Sequence, residues 1–143
     1  MSSAKLKFYQ KEATKTQLAD ASPYQVVQML MGGVLDSLAL AKGALQRQDY
    51  EVKGRALSKA SAILNALRST LDESLAPDLT QNLYALYTYM LERLIDAAVE
   101  KQNADAIDEV ARLFREIKSA WDEIPLQAQL EAEAARNVTA NVG

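Results

Sequence analysis

Proline occurs only at positions 23, 77 and 125, each where a helix can begin and none where one would be broken. Between these points apolar residues recur every three or four positions and no strand-like alternation competes, so the chain reads as all-α. The spacing predicts helices over about 22–47, 50–72, 77–101 and 104–123, and the short connections make neighbouring helices antiparallel. The expected architecture is an antiparallel four-helix bundle over 22–124, with an N-terminal arm at 1–21 and a tail at 125–143 that is either helical or disordered. A chain of 143 residues is long enough to bury one such core. Ser22 and Gln25 are placed to form a capping box around Pro23, while Asp49 and Asn103 are placed to accept from first-turn amides of the second and fourth helices.

The stripes differ from helix to helix. Val27, Leu30, Val34, Leu38, Ala41 and Leu45 give the first helix one buried face, and Ile107, Val110, Phe114, Ile117 and Trp121 do the same for the fourth. In the second, Val52, Ala56, Ala60, Ile63, Leu67 and Leu71 form a stripe that Leu57 and Leu64 widen on one flank. The third carries two stripes, Leu79, Leu83, Leu86, Met90 and Leu94 beside Tyr84, Tyr87, Leu91 and Ile95. The second of these is either core against another neighbour or a face kept for a partner. Gly32 and Gly33, with Ala39 and Gly43, thin one side of the first helix, and Met29 and Leu40 lie on that side. A segment of the same chain or a bound peptide could use it.

The chemical inventory is narrow. There is no cysteine and no histidine, which removes disulfides, thiolate sites, the commonest general base and the commonest metal ligand. Glu92 and Asp96 share a polar helix side with Arg93 and read as a solvated charge cluster rather than an acid/base pair. We expect no enzyme activity, no cofactor and no metal. A net charge of −3 gives no basic field for nucleic acid. No uninterrupted apolar run approaches the length of a membrane span and Met1–Gln10 lacks the apolar core of a signal peptide, so the expected setting is cytoplasmic, without membrane insertion.

Four blocks resemble the FliS family of flagellar export chaperones. They are Ala21-Ser22-Pro23 followed by Met29-Leu30, Lys53-Gly54-Arg55-Ala56-Leu57-Ser58-Lys59-Ala60, Asn82-Leu83-Tyr84-Ala85-Leu86-Tyr87-Thr88-Tyr89-Met90, and Ala120-Trp121. The chain departs from the family pattern at Leu30-Met31-Gly32-Gly33, where Leu-Tyr-Asp-Gly is usual, and at Ser74-Leu75-Ala76-Pro77, where a glycine pair is common. The resemblance implies a bundle that holds the disordered C-terminal segment of flagellin, prevents premature polymerisation and delivers its cargo to the flagellar export gate. It also implies that the arm, through Tyr9 with Leu6 one turn earlier, covers the binding surface in the free protein; composition alone reads that arm as an ordinary tail. The expected flagellin-binding residues are Leu6, Tyr9, Met29, Leu40, Leu57, Leu64, Tyr84, Tyr87, Leu91 and Ile95. The alternative is a structural bundle or adaptor that uses the same faces for weak self-association.

Overall fold

The computed structural model describes residues 21–72 and 77–142. Those residues form five helices: α1 (Pro23–Gln46), α2 (Tyr50–Ser69), α3 (Pro77–Val99), α4 (Asp105–Asp122) and α5 (Leu126–Val142). No strand occurs among them. Met29–Glu123 makes one compact unit, holding α2, α3, α4 and most of α1; the residues before Met29 and those from Ile124 onward belong to a second.

The helix ends follow the sequence signals. The Ser22 amide donates to Gln25 Oε1 at 3.0 Å and the Gln25 amide donates to Ser22 Oγ at 3.2 Å, so two first-turn donors are satisfied reciprocally. At the other end of α1, Gln48 adopts a left-handed φ of 60°. That lets the Asp49 amide reach back to the Ala44 carbonyl at 2.8 Å and the Gln48 amide to the Leu45 carbonyl at 3.0 Å, a Schellman-type stop. Asp49 then caps α2 through Val52 N–H at 3.2 Å. Two hydroxyls close α2 earlier than the periodicity suggests: Ser69 Oγ donates to the Ala66 carbonyl and Thr70 Oγ1 to the Leu67 carbonyl, both at 2.7 Å. Asn103 accepts from the Asp105 amide at 2.9 Å, and α4 starts one residue later than expected. The tail, left open by the sequence, is helical; its first turn is tied by the Gln129 amide to the Pro125 carbonyl at 3.1 Å.

Within the Met29–Glu123 unit the core contains Val34 and Leu38 of α1, Leu64 of α2, Met90 and Leu94 of α3, and Ile107, Val110 and Phe114 of α4. α2 and α3 run antiparallel, because two cationic side chains of α2 reach α3 in opposite order along the chain. Lys53 Nζ donates to the Glu100 carbonyl at 2.6 Å, just beyond the C-terminal end of α3, where a cation also meets the negative end of the helix dipole. Arg68 Nη1 donates to Thr88 Oγ1 at 3.0 Å, near the middle of α3. Burial of the Lys53 ammonium lowers its pKa, an effect the nearby Glu100 carboxylate opposes.

α3 and α4 are joined by one carboxylate. Glu109 Oε1 accepts from Tyr89 Oη at 2.7 Å and from Arg93 Nε at 2.8 Å, and Arg93 Nη1 also reaches Asp96 Oδ2 at 2.9 Å. Arg93 is therefore a bridge between helices rather than a member of a solvated cluster. Lys42 of α1 pairs with Asp108 of α4 at 2.8 Å on the surface. Among the described residues, only α1 is long and apolar enough by length and composition to cross a membrane. Its stripe, however, is spent on the bundle: Val34, Leu38, Ala41 and Leu45 are buried there.

Candidate functional site

α3 borders both α2 and α4, and that decides which of its apolar residues are left over. Met90, Leu94 and Ala97 face the core, with Tyr87 one step round the helix. Beyond them, at four- and seven-residue steps, Tyr84, Leu91, Ile95 and Val99 continue a stripe on the α2 side. Tyr84 is 52% exposed, Ile95 67% and Val99 75%, while Leu91 is half-buried. Opposite this flank α2 presents small or polar residues. A Cβ built on Gly54 would meet nothing within 4 Å, Ser58 and Asn65 are exposed, and Ser61 is half-buried. The result is an apolar edge beside a low floor, a shape suited to a helix laid lengthwise.

One end of this flank is polar. Arg68 lies 5.2 Å from the Tyr84 ring centroid, donates to Thr88 Oγ1, and donates through Nη2 to Asn65 Oδ1 at 3.0 Å. A second exposed apolar pair sits on α1, where Met29 is 38% and Leu40 52% exposed. Between them the two glycines behave differently. A Cβ on Gly33 would come within 3.1 Å of Ile63 Cδ1, so Gly33 serves close packing of α1 against α2. A Cβ on Gly32 would meet nothing within 4 Å.

The ten residues expected from the sequence divide accordingly. Met29, Leu40, Tyr84 and Ile95 are exposed, Leu91 is partly so, and Leu6 and Tyr9 lie outside the described residues. Leu57, Leu64 and Tyr87 need correction: they are at most 3% exposed and belong to the core. The reason is that α2 and α3 each have two neighbours. Ile63 turns to Gly33 of α1, which brings Leu57 and Leu64 to the centre of the α2 buried face. Burial likewise raises the pKa of the Tyr87 hydroxyl. Leu79, placed with the core by spacing, is 59% exposed, since it lies on the first turn of α3. Val99 and Arg68 were missed; the four-residue step from Ile95 would have found the first, whereas the second depends on a contact between helices.

No group of three or more metal-ligating side chains occurs among the described residues. The geometry is that of a binding module, an all-helical bundle with an open apolar flank. The family described as "Flagellar protein FliS" matches residues 5–129, and the chain belongs to that family. It is 40% identical over 119 residues to the flagellar secretion chaperone FliSB of Pseudomonas aeruginosa, covering 83% of this chain and 94% of that one. It is 41% identical over 120 residues to the flagellar secretion chaperone FliS of Vibrio cholerae (84% and 88% covered), and 41% identical over 123 residues to that of Escherichia coli K12 (85% and 90%).

Proposed function

We propose that the protein is a cytoplasmic flagellar export chaperone that binds the C-terminal segment of flagellin, keeps it from polymerising early and hands it to the flagellar export gate. The observation that carries this reading is the apolar flank Tyr84–Leu91–Ile95 of α3, which stays open after the core has taken Tyr87, Met90 and Leu94. The names of the relatives support an export role, and the flank supplies a mechanism: a disordered segment folds as an amphipathic helix, lays its apolar face along α3 and thereby hides the surface it uses in assembly. Met29 and Leu40 offer a second contact area on α1. Binding needs no nucleotide or metal, and no bond is made or broken.

Isothermal titration of the full chain with a synthetic flagellin C-terminal peptide tests the reading. Saturable 1:1 binding, unchanged by a chelator and weakened by Ile95→Ala, is expected. Absence of binding at high micromolar peptide would sink it.

A further inference from the structure

We propose that Arg68 selects cargo by charge: its guanidinium receives a carboxylate carried by a helix docked on the Tyr84–Leu91–Ile95 flank. This rests on the docking reading above and adds the chemistry of the occupant. The guanidinium is held in place before any ligand arrives, by Thr88 at 3.0 Å, by Asn65 at 3.0 Å and by the Tyr84 ring beneath it at 5.2 Å. Those contacts use one hydrogen on each terminal nitrogen of a group that has five N–H donors, so donor capacity remains.

Among the described residues the charge itself is unanswered. Arg55 has Glu51, and Arg93 has Asp96 and Glu109, but among the described residues no carboxylate pairs with Arg68. Its partners among the described residues are neutral: an amide, a hydroxyl and a ring. A half-buried, oriented guanidinium with neutral supports, at the end of an apolar flank, is the arrangement that rewards a carboxylate in fork geometry. The position of that carboxylate follows from helix geometry. From the Tyr84–Thr88 turn to the Leu91–Ile95 turn is about seven residues, roughly 10 Å along the axis. The docked helix therefore carries its acidic residue about two turns from the apolar residues that rest on Leu91 and Ile95.

The test is a double-mutant cycle on the full chain, read by isothermal titration with a synthetic flagellin C-terminal peptide and versions in which single Asp or Glu residues become Asn or Gln. Arg68→Gln is expected to lower affinity about tenfold. One amide-substituted peptide should lose a similar factor against the wild-type chain and nothing further against R68Q. Arg68→Lys, which keeps the charge and stem but not the fork, should recover only part of the loss, and it serves as the second variant if R68Q fails to fold by circular dichroism. Equal losses for every peptide would make Arg68 a clamp between α2 and α3 and overturn the proposal, as would unchanged affinity. No binding by the wild-type chain would instead remove the docking reading itself.

Discussion

At the scale of single residues, burial separates side chains that lie side by side in the sequence. Leu64 and Phe114 are fully enclosed, so Leu64→Ala and Phe114→Ala should each cost roughly 2–5 kcal/mol, read from urea midpoints at constant slope. Tyr84→Ala and Ile95→Ala, on exposed positions, should change stability by about 0.5 kcal/mol or less while weakening peptide binding. If they destabilise as much as the core pair, the α3 flank is packed and not a docking surface. The glycine pair gives a sharper contrast. Gly32 has open space where a methyl would go, so Gly32→Ala should raise stability by about 0.5–1 kcal/mol through helix propensity. Gly33→Ala should gain less, because Ile63 Cδ1 must give way by a few tenths of an ångström. A thermal melt in which G33A exceeds G32A would refute that assignment.

At the scale of helices, most of what can be read locally was legible, and most of what depends on neighbours was not. Caps at Ser22 and Asp49 are determined by residues within three positions, and both form, while Asn103 accepts from the Asp105 amide from one position before the cap, which Ala104 occupies. The buried stripes of α1 and α4 are legible because each helix spends a single face on the core. α2 and α3 are misread in part because a stripe flanked by two neighbours looks the same in sequence as one with a spare face, and Leu57, Leu64 and Tyr87 show the difference. The link between α3 and α4 was equally hidden, since Arg93 reads as solvated until Glu109 is brought beside it. That link makes a prediction about acid. Hydrogen bonds from Tyr89 and then Arg93 hold the Glu109 carboxyl below its ordinary value of 4.5. A depressed folded pKa contributes stability that is fully present above the ordinary value and is lost as pH falls through the folded one. Glu109→Gln should therefore flatten the stability–pH curve below about pH 4.5 while changing its slope little near neutrality. An unaltered acid limb in E109Q would show that solvent screens these interactions to insignificance.

For the whole molecule, the decisive point is that one core is satisfied and apolar surface is still left over, on α3 at Tyr84, Ile95 and Val99 and on α1 at Met29 and Leu40. Two uses of that surface compete: capture of a helical segment from another protein, or pairing with a second copy of this chain. They differ in how the measured quantities respond to concentration. A disordered peptide that folds on the flank must offset an ordering cost of roughly 2–5 kcal/mol by burying apolar area, and that burial carries a negative heat-capacity change. Titrating the peptide should thus add helical circular dichroism beyond the sum of the separate components, with a binding enthalpy that becomes more negative on warming. In sedimentation the chain alone should keep one mass across a wide concentration range, and the peptide should shift it by a single peptide mass. Self-association would give the opposite pattern, a mass that climbs with protein concentration and falls when peptide competes for the same flank. A mass that climbs regardless of peptide, with no added helicity, would assign the flank to copies of this chain and remove the cargo from it.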